Sequence, residues 1–416
     1  MLWVTSNLHW GGEKWKGILE SDAKGYYAYL PAIFIYNDLN FGFLEKVQEK
    51  YPAPHIDYDY RANAEGVLIN KYYAGTALSQ LPFFLAADAI TVFTEGERDG
   101  YSQWYLMSVN WAALFYLFLG LFYLRKSLLL WNVPETAIAL LLPATLFGTN
   151  LFVYSVVEPG MSHVFSFGWM AVFIYQILKF NQNPNNKKLI AISLILGIIT
   201  LIRPVNLLIL FALPFLLGNN KDLIKLITFA LKRIHWTIIP FLVVISAQLI
   251  IYKLSTGKLW IYSYNEEGFD FSSPHFFDIL FSYKKGLFLY TPLYLLCFFG
   301  LIPLWKTDRF RFWSWLAFFT LITYTFSSWW MWFYGGSFSG RIYVEYLPVF
   351  ILLLGIFYRD VKSKKAKIAL STTVILLSLL CQVQSYQYRY YIIHYTEMTK
   401  EKYWDVFLKL KPEEKK

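Results

Sequence analysis

The sequence predicts an all-α polytopic membrane protein. Of its 416 residues, 56% are hydrophobic and only 16% are charged, which is less charge than soluble domains carry. Several apolar runs reach about 17 to 22 residues, the length that a helix needs to cross a bilayer. Aromatic residues make up 20% of the chain, and many Trp and Tyr stand at the ends of these runs, where amphipathic rings favour the membrane interface. We expect a helical bundle with about ten to eleven spans.

Residues 1–103 form the first predicted region. Residues 1–8 are typical of the last turns of a span, so we expect that a first span has been lost upstream. The remainder is a predicted outer loop with two amphipathic stretches, Gly25 to Tyr36 and Tyr72 to Phe93, of which the second is interrupted by Pro82. We expect both stretches to be helices at the membrane interface, with a loop between them.

Residues 104–384 form the predicted transmembrane bundle, and residues 385–416 an outer tail. The predicted spans are 104–124, 135–156, 162–180, 188–203, 204–218, 236–253, 287–305, 312–330, 342–358 and 367–384. Loops rich in Lys and Arg alternate with loops that contain few cations, and the positive-inside rule places the cation-rich loops in the cytoplasm. The loops with unusual polar residues then share the outer face: 20–22, 156–167, 254–286, 327–341 and the tail.

The net charge of +10 is explained by this topology, so it does not predict binding to nucleic acid. The two cysteines, Cys297 and Cys381, lie in apolar runs and form no disulfide framework. No spacing of His, Cys and carboxylates matches a metal site. The sequence therefore predicts no cofactor and no metal ligands, and it leaves a divalent metal open.

An acidic motif stands at the start of the first outer loop. Asp22 is a candidate general base, because a base must remain ionised until it meets the hydroxyl that it deprotonates. Glu20 is a weaker candidate for a second catalytic acid. The alternative is that Asp22 is a solvated loop residue or caps the helix that starts near Gly25.

A second polar cluster lies in the loop between two spans. Glu158 and His163 are candidate substrate-binding residues, because polar groups at membrane depth are costly unless they are paired or functional. The alternative is that Ser162 caps a helix and His163 lies at the wet interface.

Four cations are candidates for binding a lipid phosphate. Arg203 has apolar residues on both sides, so it either snorkels to the headgroups or binds an anion inside the protein. Lys284 and Lys285 precede a span on the outer side, against the positive-inside trend; ordinary headgroup contact is the alternative. Arg341 either faces a cavity or pairs locally with Glu345, one turn later.

These residues together resemble membrane glycosyltransferases of the GT-C superfamily, in particular the protein-mannosyltransferase-like and aminoarabinose-transferase-like branch. The similarity rests on the acidic motif of Glu20 and Asp22, on amphipathic helices in the first outer loop and on the outer cations. The stretches DAKGYYAYLPA, EPGMSHVFSF, LIRPVN, FSYKKGLFLYTP and WFYGGSFSGR resemble blocks of an uncharacterised bacterial subgroup. The chain departs from the family in reading Glu-Ser-Asp where paired acids are usual.

The resemblance implies a GT-C-like bundle that transfers a hexose or pentose, with inversion, from a polyprenyl-phosphate donor to a lipid, glycan or protein acceptor. Transfer would occur at the outer face of the bacterial inner membrane, among membrane lipids. Asp22 would act as the base, and Tyr26, Tyr27 and Tyr264 could border the sugar pocket. The alternatives are a lipid-linked sugar flippase or other transporter, and a surface-polysaccharide polymerase or ligase.

Overall fold

The computed structural model describes residues 1–52 and 58–411, and almost all of its regular structure is helical. The α-helices are Leu2–Thr5 (α1), Asp22–Pro31 (α2), Leu44–Lys50 (α3), Gly75–Phe93 (α4), Gln103–Leu130 (α5), Glu135–Phe147 (α6), Ser162–Gln182 (α7), Asn186–Ile202 (α8), Leu213–Leu217 (α9), Asn220–Leu231 (α10), Ile234–Thr256 (α11), Phe276–Phe281 (α12), Leu287–Tyr290 (α13), Leu293–Cys297 (α14), Leu301–Thr307 (α15), Arg309–Ser327 (α16), Leu347–Asp360 (α17), Lys364–Arg389 (α18) and Lys400–Val406 (α19).

Shorter helical segments extend or join these helices. The 3₁₀-helices are Lys14–Gly17, Pro204–Ala212, Phe298–Gly300 and Arg341–Tyr346, and the π-helices are Ser6–Trp10, Ala32–Tyr36 and Val153–Val157. Arg203 is extended, with φ of −152°, between α8 and Pro204. This agrees with the sequence, because proline sterically disfavours helical geometry in the residue before it. The predicted span 204–218 is therefore a 3₁₀-helix followed by the short helix α9.

Six helices within the described residues are long and apolar enough to cross a membrane, so the predicted all-α membrane protein is confirmed at this level. They are Gly75–Phe93, Gln103–Leu130, Ser162–Gln182, Ile234–Thr256, Arg341–Asp360 and Lys364–Arg389. The total of ten to eleven spans stays a prediction. Helix α4 continues through Pro82 as a 19-residue helix, so the prediction that Pro82 interrupts it is wrong.

The six helices differ in how much protein surrounds them. Arg341–Asp360 lies at the centre of the bundle, with 94% of its most apolar window buried, as expected of a helix that is apolar on all sides. Ile234–Thr256 is even more apolar, but only 6% of its window is buried. Its side chains therefore form an outer surface suited to lipid.

A β-hairpin stands where the sequence predicted only a loop. Arg61–Ala64 (β1) pairs antiparallel with Val67–Asn70 (β2), and Ala64 faces Val67 across the turn. The turn residues Glu65 and Gly66 both have positive φ, 54° and 90°, the geometry that suits a two-residue hairpin. The Asn70 side chain donates to the Gly25 carbonyl at 2.7 Å, which joins the hairpin to α2.

Candidate functional site

A cavity of about 500 Å³ opens where six separate segments meet at one end of the bundle. Its walls come from the start of α2, Tyr58 before β1, the chain after β2, the α8–Pro204 junction and the loops 262–269 and 329–342. These include three of the loop regions that the sequence predicted would share one face. The aromatic side chains on its walls are Tyr58, Tyr72, Tyr73, Tyr262, Tyr264, Phe269, Trp329, Trp330 and Tyr334.

Asp22 lies on the cavity wall and is held by two donors from distant segments, in addition to a 3.4 Å contact from the neighbouring Ser21 hydroxyl. Its Oδ1 accepts from the Tyr72 hydroxyl at 2.7 Å, and its Oδ2 accepts from Nη2 of Arg341 at 2.7 Å. Burial alone would raise the pKa of Asp22, but Arg341 and Tyr72 stabilise the charge and the net pKa lies below its usual value. Asp22 occupies the first turn of α2, with Ser21 as the N-cap, so the alternatives of a solvated acid and of a cap are wrong.

Tyr72 is positioned by its packing against α2. A Cβ on Gly25 would lie 2.4 Å from the Tyr72 ring, so only glycine permits this close approach. The Tyr72 carbonyl accepts from the Tyr29 hydroxyl at 2.6 Å, and its ring lies 4.5 Å from that of Tyr26. Tyr26 thus supports the wall of the cavity from behind rather than lining it.

Arg203 also lines the cavity, and a helix contact fixes its place. A Cβ on Gly75, at the start of α4, would lie 2.2 Å from the backbone nitrogen of Ile202. The end of α8 is therefore held tightly against α4, next to the segment that carries Tyr72. Nη1 of Arg203 lies 3.2 Å from Oε1 of Glu345. Of the two predicted placements, the structure has Arg203 inside the protein.

His163 and Glu345 lie behind this arginine. His163 is completely buried, and its Nδ1 is 3.1 Å from Glu345 Oε1. The Ser162 hydroxyl has no hydrogen-bond partner among the described residues. The interpretation of Ser162 as a cap with His163 at the wet interface is therefore wrong, and His163 does not line the cavity.

Arg341 begins the 3₁₀-helix that enters the bundle. Its Nη2 contacts Asp22, while its Nε is buried and has no acceptor in the described chain. The predicted local pair with Glu345 is wrong. A 3₁₀-helix has three residues per turn, so side chains at i and i+4 do not face each other as they do in an α-helix.

A third cation on the wall was missed at the sequence level. Nζ of Lys71 lies 2.5 Å from Oε1 of Glu267 and 5.3 Å from the centre of the Tyr264 ring. Tyr264, predicted to bind substrate, does line the cavity and packs edge-on against Trp329 at 5.8 Å. The signal for Lys71 was its place directly before Tyr72 and Tyr73, at the start of an apolar stretch.

Two predicted phosphate ligands lie elsewhere. Lys285 is buried, and its ammonium donates to the carbonyls of Ser337 and Tyr395. Nζ of Lys284 lies 3.4 Å from the centre of the Phe333 ring. Neither lysine lines the cavity, so the expectation that all four cations share one pocket is wrong for this pair. Lys285 instead connects the loop before Arg341 to the C-terminal tail.

The remaining predicted residues also lie outside the cavity wall. Tyr27 is buried and donates to the Gly100 carbonyl at 2.6 Å, which is a packing role. Glu20 is exposed and does not line the cavity. Glu158 accepts from the Tyr388 hydroxyl at 2.7 Å, and burial raises its pKa to about 7. These three residues therefore do not meet Asp22 in one site.

The cavity combines the carboxylate of Asp22, the guanidinium groups of Arg203 and Arg341, the Lys71–Glu267 ion pair and an aromatic wall. A carboxylate can accept a proton from a hydroxyl, and guanidinium groups bind phosphate oxygens in pairs of hydrogen bonds. Aromatic faces suit the apolar faces of sugar rings or of lipid headgroups. No group of three His, Cys, Asp or Glu side chains that could hold a metal occurs in residues 1–52 and 58–411.

Comparison with known proteins returned no match: no family model fits the chain, and neither a curated protein nor a solved structure is significantly similar to it.

Proposed function

We propose that this protein is a membrane glycosyltransferase that moves a sugar from a polyprenyl-phosphate donor to an acceptor hydroxyl. The observation that supports the proposal is the meeting of Asp22, Arg203 and Arg341 on one cavity wall, from segments far apart in the chain. A chance meeting of polar residues on a loop surface is not expected to bring a base and two phosphate-binding groups together from three separated segments.

The chemistry requires two opposite charges near one carbon. The acceptor oxygen attacks the anomeric carbon and forms a new bond as the bond from that carbon to the phosphate oxygen breaks. Asp22 takes the acceptor's proton, and the departing phosphate keeps the bonding electron pair. Arg203 and Arg341 offset the developing negative charge. Direct displacement of this kind inverts the anomeric configuration.

The location of the cavity favours sugar transfer over the alternative of a transporter. Its polar groups crowd one end of the bundle, whereas a transporter for lipid-linked sugars requires polar groups along the path across the membrane. We propose that the cavity faces the outer side of the bacterial inner membrane, because the cation-rich loops predict the opposite side to be cytoplasmic.

The test is the release of undecaprenyl phosphate from a panel of synthetic undecaprenyl-phosphate hexoses and pentoses. The protein is assayed in membrane vesicles from cells deleted for the gene, which supply the acceptor. We expect Asp22→Asn to lower the rate by about 10²- to 10⁴-fold, the usual contribution of a general base. Full activity in Asp22→Asn, or no release from any donor by the unsubstituted protein, contradicts the proposal.

Asp88→Asn is the matched control. Asp88 also pairs with an arginine and a tyrosine, Arg98 and Tyr105, but it does so away from the cavity. Both variants therefore lose an Asp–Arg–Tyr arrangement, although Arg98 is exposed and Asp88 is only half-buried. We expect only the Asp22 variant to lose transfer at equal protein levels.

A further inference from the structure

The ion pair between Asp22 and Arg341 presents a chemical conflict within the proposed site. A carboxylate bonded to a guanidinium is a weaker base, because the positive charge favours its ionised form. A guanidinium occupied by a carboxylate is likewise less available to a phosphate. The same contact, 2.7 Å long, thus restrains both partners from the roles proposed for them.

One hydrogen-bond donor of Arg341 has no partner among the described residues. Its Nε is buried without an acceptor in the described chain, and leaving such a donor unsatisfied destabilises the folded protein, more so for a charged group. The side chain borders the same cavity as Arg203. A phosphate oxygen that entered the cavity beside Arg341 would satisfy Nε and form the paired hydrogen bonds that guanidinium prefers.

Arg203 does not face the same conflict. Its carboxylate partner is Glu345, which also contacts His163 and is buried behind the cavity. A phosphate that draws on Arg203 leaves Asp22 with its Arg341 contact intact. Of the two arginines, only Arg341 is hydrogen-bonded to Asp22, whereas Arg203 acts on it through its charge.

We infer that Arg341 is exchanged from Asp22 to the donor's phosphate when the donor binds, so that the base becomes active only in the loaded site. This inference rests on the proposed function. It makes donor binding precede acceptor activation. Arg341 first holds Asp22, the base, and then binds the phosphate of the donor.

The environment of Asp22 contains other groups that affect its titration. They are Tyr58, Tyr72, Tyr264, Arg203, and the Lys71–Glu267 pair. Because Arg203 also stabilises the charge of Asp22 and is proposed to bind the phosphate, a change in titration on donor binding reports on both arginines and on the charge of the phosphate itself. Comparison with an Arg341 variant isolates the contribution of Arg341.

The experiment measures the pKa of Asp22 by infrared difference spectroscopy, with Asp22→Asn as the reference that identifies its carboxyl band. The full chain is reconstituted with undecaprenyl phosphate or with undecaprenol, which has the same chain and no phosphate. We expect undecaprenyl phosphate to raise the pKa by about one to three units, the range by which a nearby opposite charge lowers it, and undecaprenol to leave it unchanged.

Arg341→Gln separates the exchange from the direct effect of the phosphate charge. In this variant the pKa of Asp22 should already be raised without ligand, and undecaprenyl phosphate should raise it further by less than half of the shift in the unsubstituted protein. An equal shift in both proteins overturns the exchange, as does binding of undecaprenyl phosphate without a shift. Native mass spectrometry measures that binding. If the lipid phosphate does not bind at all, the proposed donor is wrong and the exchange falls with it.

Discussion

At the scale of single residues, the partners of Asp22 together outweigh its burial. Burial alone would raise the pKa of the carboxyl, but the net pKa lies below its usual value. Arg341 contributes a full positive charge and Tyr72 a hydroxyl donor, and each contacts a different carboxylate oxygen. The Tyr72 hydroxyl in turn contacts that of Tyr58, so a chain of hydrogen bonds runs along the wall. The site therefore keeps a largely enclosed carboxylate ionised on the cavity wall.

Tyr72→Phe tests the contribution of the hydroxyl. A hydrogen bond to a charged group contributes about 1.5–3 kcal/mol, and one pKa unit corresponds to about 1.4 kcal/mol. We expect the pKa of Asp22 to rise by about one unit, measured by the same infrared difference method. Tyr73→Phe is the control, because Tyr73 lines the same cavity and no hydrogen bond joins it to Asp22 within the described residues. An unchanged pKa in Tyr72→Phe would show that the charge is fixed by the arginines without the hydroxyl.

At the scale of elements, the site depends on the contact between α4 and α8. The backbone of Ile202 lies so close to Gly75 that no side chain fits between them. We expect Gly75→Ala to force the helices apart and to lower the free energy of unfolding by about 1–3 kcal/mol, the usual cost of overpacking. Arg203 should move with the end of α8, so transfer should fall as well.

Gly268→Ala is the control for that change. Gly268 lies in the loop that borders the cavity, its φ is not in the left-handed region, and a Cβ there would meet no atom within 4 Å. Denaturation in detergent measures both variants. Equal stability of Gly75→Ala and the unsubstituted protein would contradict the close contact.

The C-terminal tail docks on the bundle partly through Tyr388 and Glu158. Burial raises the pKa of Glu158 from 4.5 to about 7, so the folded state holds its proton at a pH where the unfolded chain has lost it. Ionisation therefore penalises folding increasingly as the pH rises from about 4.5 to 7, and the penalty is fully present above 7. We expect Glu158→Gln to raise the midpoint of thermal unfolding at pH 8 more than at pH 5.

Glu135→Gln serves as the comparison, since Glu135 is exposed and pairs with Arg125 at the surface. Its effect on the midpoint should not differ between the two pH values. A Glu158→Gln effect of equal size at pH 5 and pH 8 would indicate that Glu158 is ionised at both.

At the scale of the whole molecule, apolar runs were enough to predict a helical membrane protein, and Asp22, Arg203, Arg341 and Tyr264 were found from local anomalies. A cation in an apolar run is visible in the sequence, but its partner is not. Arg341 is 319 positions from Asp22, and local spacing instead favoured Glu345. Lys285 and Tyr27 have the same local appearance as cavity residues, and only tertiary packing places them elsewhere.

Because distant loops meet at one end of the bundle, we predict that they all lie on the same side of the membrane. Glu13, Ser273 and Glu397 are exposed in segments near the cavity end, whereas Lys225 and Lys364 are exposed in cation-rich segments. Single cysteines at the first three positions should react with an impermeant maleimide added outside intact cells. Cysteines at the last two should react only after the membrane is opened.

The native cysteines permit this measurement without a cysteine-free background. Cys297 and Cys381 are both completely buried, so the unsubstituted protein should remain unlabelled and supplies the control. Suppose that one cavity-end position were labelled from outside and another only from inside. Segments that meet at the same end of the bundle would then lie on opposite sides of the membrane. The cavity could not then be a site on a single face, and a path that crosses the membrane would be the better account.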